Sequence, residues 1–252
     1  MTEIIPLLAE GGYKDLDLNF CEMMNPVSTL KDKASAQSYL EELKNLKEEY
    51  SLNYHQCHLP YAQDFLMLSD RVKAIHLNHI KLAIEYSAYL GIDTLVIHPI
   101  KCSIEDNLEY FGKIIPYLEK SQRLAIENME REDEIYSVDD LITLVDSLGE
   151  KTGICLDTGH ANMMNLNIPA FIEKCGDRLI ATHIADNNAI EDQHMLPGFG
   201  NIEWETIIPA FRKYYKGFLN YEAMFFGRNL PKESYKTIIK NSLKSAEWLF
   251  SL

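Results

Sequence analysis

Short apolar runs alternate along the chain with longer stretches in which apolar residues recur every three or four positions. The runs fall at 15–20 (DLDLNF), 52–60 (LNYHQCHLP), 94–99 (TLVIHP), 123–128 (RLAIEN), 152–160 (TGICLDTGH), 179–187 (LIATHIADN) and 217–224 (GFLNYEAM). Runs of this length read as buried strands, and the stretches between them as helices. The clearest helix lies at 69–91. Val72, Ile75, His79, Leu82, Tyr86 and Leu90 recur at helical spacing, Ser69 suits the N-cap and Gly91 the stop. Another covers 231–252, with Pro231 suited to its first turn. Strands alternating with helices imply βα units and a parallel sheet.

Polar residues end the runs at 58, 98, 127, 157, 183 and 222, so that each step holds one strand and one helix without a large insertion. This repetition predicts a (β/α)8 TIM barrel, one domain over residues 1–252, rather than a doubly wound sheet. A Gly-x-Gly-x-x-Gly turn after the first strand is absent, which argues against dinucleotide binding. Only seven strands are counted. The chain opens as a helix, a Gly-Gly stop and then a strand, so the barrel's first strand is expected to be missing or to precede the sequence. An open barrel leaves unpaired edges, which would favour a homodimer that covers them.

The strand ends carry the chemistry. His58 and Tyr61 follow the second run, and His98 the third. Then come Glu127 with Asn128, Asp157 with His160, His183 with Asp186, Asp192 and His194 in the next loop, and Glu222. Taken singly, a histidine at a strand end is more often structural, and a glutamate there more often favours a helix dipole. Together, five of eight histidines and three carboxylates converge on the face where such barrels act. Burying that many titratable groups is costly unless they share a cation. Nitrogen and oxygen donors without thiolate suit Mn, Mg, Co, Fe or Zn as the divalent metal. His55, His76 and His79 lie elsewhere and read as structural, and the 41–50 run (EELKNLKEEY) reads as a solvated helix face.

Charge narrows the partners. Lys+Arg number 24 against 38 Asp+Glu, a net charge of −14 without a basic cluster, which disfavours nucleic acid. No apolar run approaches the roughly 20 residues of a membrane span, and the first residues lack the basic start of a signal peptide. Five cysteines without paired spacing suggest reduced thiols and a cytoplasmic location. Cys57 and Cys155 are expected in the core.

The motifs HLPY (58–61), VIHP (96–99), IEN (126–128), CLDTGH (155–160), HIADN (183–187), DQHMLPGFGNIEW (192–204) and YEA (221–223) together resemble the xylose isomerase-like TIM-barrel superfamily over almost the whole chain. Members include sugar isomerases and epimerases, inosose-metabolising enzymes and endonuclease IV. In the sugar branch the resemblance implies one divalent metal held by Glu127, Asp157, His183 and Glu222. The two glutamates would transfer a proton α to a carbonyl through an enediolate, and His160 would hydrogen-bond a substrate oxygen. An arginine that some epimerases carry after the His strand has no counterpart within 183–200. The endonuclease IV branch implies a three-zinc phosphodiesterase site on His58, His98, Glu127, Asp157, His160, His183, Asp192, His194 and Glu222. The net charge and short connections favour a small-molecule sugar or sugar derivative. The lack of a Gly-rich phosphate loop favours an unphosphorylated or conjugated sugar. A non-catalytic barrel that binds a sugar or a partner protein is the third reading.

Overall fold

The computed structural model describes residues 1–223 and 230–252. The strands are β1 (Asp15–Asn19), β2 (Asn53–His58), β3 (Thr94–Ile97), β4 (Arg123–Glu127), β5 (Thr152–Asp157) and β6 (Leu179–His183). The α-helices are α1 (Ile5–Gly11), α2 (Lys33–Glu49), α3 (Asp70–Leu90), α4 (Ile104–Gly112), α5 (Val138–Leu148), α6 (Thr158–Met163), α7 (Ile168–Cys175), α8 (Trp204–Tyr214) and α9 (Tyr235–Ser251). Among the described residues the strands form one sheet in sequence order, and each neighbouring pair is parallel. This is the curled sheet of a TIM barrel.

The seventh expected strand differs. Its only ladder contact among the described residues is a bridge between Tyr221 and Ile184, and Met224 lies outside the described residues. A neighbouring side chain takes the place of ladder partners here. The Thr182 hydroxyl donates to the Phe218 carbonyl at 2.9 Å and accepts from the Asn220 N–H at 3.1 Å. A hydroxyl satisfying backbone groups competes with regular pairing. Across the remaining gap, the Asn220 amide donates to Asp17 on β1 at 3.0 Å. Side chains therefore bridge the seam between this segment and β1.

Two helices depart from the sequence pattern. Helix α3 ends at Gly91, whose φ of 72° is left-handed, as its sequence predicts. Its buried face, however, runs from Ile80 to Leu90, while Val72 and Ile75 are exposed. A helix of 21 residues extends about 31 Å. The four-residue strand after it covers only about 13 Å, so the first turns outrun the sheet. In the last segment, Lys232–Ser234 form a 3₁₀ turn after Pro231, and the α-helix begins only at Tyr235.

The outward side chains of the strands, among them Leu95, Ile97, Leu124, Ile126, Ile154 and Leu156, pack under the helices in one continuous core. Inside the barrel sits a separate, smaller cluster of Val96, Ala125, Cys155 and Ala181. None of the five cysteines is paired, and Cys57 and Cys155 are buried as expected. Among the described residues no helix is long and apolar enough to cross a membrane.

Candidate metal centre and active site

The small lumen cluster is the floor of the site. Two residues further along each of four strands stands a polar group: His98 after Val96, Glu127 after Ala125, Asp157 after Cys155 and His183 after Ala181. The strand period of two aims each of them into the same lumen. Glu127 is at the centre and is fully buried. Its Oε2 lies 3.5 Å from His58 Nε2 and 3.3 Å from His98 Nε2. Its Oε1 lies 3.1 Å from His183 Nδ1 and 3.5 Å from His160 Nδ1. Glu222 reaches the same point, with Oε2 3.1 Å from His183 Nδ1.

Glu127, Asp157, His183 and Glu222 each offer one donor atom, and these atoms lie within 4.8 Å of one another. His58, Glu127 and His183 form a second such set. The donor chemistry fits a divalent cation. Both oxygens of Glu127, Asp157 Oδ2 and His183 Nδ1 are buried without an aligned hydrogen-bond partner among the described residues. Buried polar atoms in folded proteins are almost always paired.

Local folding frees these atoms. Asp157 caps helix α6, its Oδ1 accepting from the His160 N–H at 2.7 Å. Oδ2 is left for the lumen. Gly159 lets this turn close, because a Cβ there would sit 3.0 Å from the Asn187 amide and 3.2 Å from Asp157 Oδ1. The Asn128 side chain clamps β5, accepting from the Asp157 N–H at 2.8 Å and donating to its carbonyl. His160 Nδ1 lies 2.8 Å from the Asn128 carbonyl, an acceptor, so Nδ1 carries a proton. Its Nε2 faces the cavity, 3.7 Å from Glu130 and 3.8 Å from Asp192. Asp192 Oδ2 is 2.7 Å from His194 Nε2, and His194 Nδ1 is 2.9 Å from the Glu222 carbonyl.

The electrostatics follow from burial among opposite charges. Burial alone would raise Glu127, but the imidazoles of His183 and His98 outweigh it and hold its carboxyl well below the usual range. Burial pushes Asp157 up to about 7, partly offset by His160. His98 is lowered by burial despite Glu127. Burial opposes the charge of His194, but its bond to Asp192 raises it to about 9. Asp192 is lowered, because its bonds to His160 and His194 outweigh its burial.

His58, His98, His160, Asp192, His194 and Glu222 line a cavity of about 250 Å³ at the mouth of the barrel, shared with Asn19, Cys21, Tyr61, Gln63, Met129 and Glu130. Tyr61 stacks on His98 with ring centres 4.0 Å apart.

Residues 7–249 match the family described as the xylose isomerase-like TIM barrel. The chain belongs to that family. Its relatives include an uncharacterized protein of Sinorhizobium fredii, 26% identical over 91% of this chain and 72% of that one. A probable endonuclease 4 of Ureaplasma urealyticum is 22% identical over 67% of this chain and 64% of its own length. Among solved structures, a D-psicose 3-epimerase crystallised in the presence of D-fructose superposes with a TM-score of 0.76 at 14% identity, covering 98% of this chain and 93% of that one.

Within this xylose isomerase-like barrel, all nine residues singled out from the sequence stand at one lumen. Asp186 does not. Its carboxylate accepts from the Gly198 and Ile202 N–H groups and from the Trp204 indole, so it anchors the PGFGNIEW loop. Gly200 permits that wrap, since a Cβ would fall 2.2 Å from Asp186 Oδ1. His55, His76 and His79 lie outside the site: His76 packs beside Phe65 and bonds Tyr110. Sequence reasoning missed Asp17, Cys21 and Glu130. Cys21 Sγ is 3.1 Å from His58 Nδ1. The signal for Asp17 was present in DLDLNF, where Asp15, Asp17 and Asn19 alternate with Leu16 and Leu18. In a strand covered by helices, the polar face points into the lumen.

Proposed function

We propose that the protein is a divalent-metal-dependent isomerase or epimerase of a small, unphosphorylated sugar or sugar derivative. The observation that carries this reading is the nest of Glu127, Asp157, His183 and Glu222, in which two glutamates meet at one buried point. The ion held there would polarise a substrate carbonyl and its neighbouring hydroxyl. Glu127 and Glu222 are the proton carriers. One removes the proton α to the carbonyl, and the other, or the same one, returns it. Return to the opposite face epimerises the carbon, and return to the adjacent carbon interconverts aldose and ketose. His160 orients a substrate hydroxyl from its Nε2, the ring held by its bond to Asn128. The floor of Val96, Ala125, Cys155 and Ala181 excludes water from below. The cavity, about 250 Å³ in volume, lies just below the usual range of about 300–1,000 Å³ for ligand sites, which favours a small substrate of monosaccharide size over a larger one. The similarity to the D-psicose 3-epimerase structure supports the same class. The test is NMR of aldoses and ketoses incubated with metal-loaded and metal-stripped protein. Metal-dependent conversion of one of them supports the proposal, and no conversion across the panel refutes it.

A second reading has its own support. His58 and His98 face one oxygen of Glu127, and His160, Asp192 and His194 gather on the other side. With the central nest they make three donor groups, as a polynuclear zinc phosphodiesterase requires, and a probable endonuclease 4 is among the relatives. The net charge of −14 opposes a DNA substrate. Metal analysis separates the readings: about three equivalents of zinc with nicking of abasic-site DNA would favour the hydrolase.

A further inference from the structure

The His183 ring is held from both edges. On one edge Nδ1 is 3.1 Å from Glu127 Oε1 and 3.1 Å from Glu222 Oε2. On the other, Nε2 is 3.5 Å from Asp17 Oδ2 and has no aligned hydrogen-bond partner among the described residues. The ring is 1% exposed, so solvent does not serve that edge. Asp17 is itself fixed. The same Oδ2 accepts from Gln56 Nε2 at 2.9 Å and from Asn220 Nδ2 at 3.0 Å. Gln56 is fully buried, and Asn220 belongs to the segment that stands across the seam from β1.

We infer that Asp17 is a positioning residue for the metal centre: it takes the Nε2 proton of His183 in a hydrogen bond and so leaves Nδ1 as the donor to the cation. This rests on the metal reading proposed above. A carboxylate behind a ligating imidazole fixes its tautomer and orientation and strengthens it as a ligand. Here the same carboxylate also ties the barrel's side-chain seam, so closure of the barrel and the set of the ligand depend on one group.

The test compares Mn²⁺ affinity of the metal-stripped parent, Asp17→Ala and Asn220→Ala by competition with a fluorescent chelator, alongside thermal melts without metal. Asn220→Ala removes the seam bond but keeps the carboxylate behind His183. Asp17→Ala is expected to weaken Mn²⁺ binding about 10–100-fold, while Asn220→Ala stays near the parent even where its melting temperature falls. Affinity of Asp17→Ala equal to the parent overturns the inference, as does an equal loss in both variants. A second measurement needs no variant. In the Zn²⁺-loaded parent, long-range ¹H–¹⁵N spectra should place the His183 proton on Nε2, and a proton on Nδ1 overturns the inference. A parent that binds neither ion removes the metal reading and this inference together. A parent that binds while Asp17→Ala binds equally well removes only the inference.

Discussion

The outer and inner faces of the sheet obey different rules. Outward, Leu95, Ile97, Leu124, Ile126, Ile154 and Leu156 meet the helices in a continuous apolar core. Inward, β3 to β6 carry Val96, Ala125, Cys155 and Ala181 in a cluster of their own, and above them stands a knot of carboxylates and imidazoles. The outer layer is paired and close-packed. The inner layer keeps buried atoms without aligned partners among the described residues at Glu127, Asp157 and His183. Most of the apolar burial lies in the first layer, and the second gathers polar groups at one point.

The largest way to break this contrast is at the inner face. Glu127→Gln and Glu222→Gln are each expected to lower the proton-transfer rate about 10²–10⁴-fold. With metal stripped from all of them, their melting temperatures should stay close to the parent's, since neither carboxylate is needed for the outer core. Kinetics of the metal-loaded proteins and thermal melts of the stripped ones check both halves. At the outer face the pattern inverts. Leu124→Ala, at a fully buried position, should cost about 2–5 kcal/mol of stability. The metal bound per folded molecule should stay as in the parent. Denaturant melts and metal analysis would separate the two.

Metal removal lies between these. If the inner donors hold a cation, excess chelator should destabilise the parent by about 2.7 kcal/mol where free metal stood at about a hundred times Kd. The same treatment should barely move Glu127→Gln. Equal shifts in both proteins would place the bound ion elsewhere. A smaller effect comes from filling the floor. Ala125→Val adds two methyl groups to a lumen already closed by Val96 and Cys155, and overpacking there should cost about 1–3 kcal/mol.

The smallest effect is electrostatic, in the metal-free protein. Asp192 is lowered, so its contribution is present above the unfolded aspartate value, about 3.9, and fades as pH falls below it. His194 is raised to about 9, so its contribution is complete below the unfolded histidine value and is lost as pH rises through about 9. The melting-temperature difference between the parent and Asp192→Asn should therefore peak at weakly acidic pH and shrink towards pH 9. A difference flat across that range would remove the pair from the stability of the site.

The residues differ in how far the sequence exposes these two layers. The βα alternation and the strand ends at His58, Glu127, Asp157 and His183 are visible because burial on both faces makes each strand an apolar run that stops abruptly at a polar residue. The nine candidate residues follow from those ends and from the loop after His183. The seventh strand was not visible as a near-absence, because GFLNYEAM has strand composition. The Thr182 hydroxyl that intercepts its pairing lies some 36 residues away along the chain. The exposed start of α3 depends on how far a helix outruns its sheet, which periodicity does not encode. Asp17 was hidden for another reason. Its strand alternates polar and apolar residues, a pattern that usually means a solvent face, whereas here the polar face looks into the barrel. Glu130 sits just past the strand end, in a loop whose path no period fixes.

The claim that ties the two layers together is that the lumen moves a proton on a sugar carbon with the help of a divalent ion. The most direct test is solvent deuterium incorporation into an unphosphorylated ketose by the parent protein in D₂O, with and without added Mn²⁺, followed by NMR. The expected result is exchange at a single carbon next to the carbonyl, present with metal and absent after chelation. Exchange that persists without metal, or none at all in a protein carrying three zinc ions and nicking abasic-site DNA, would contradict it.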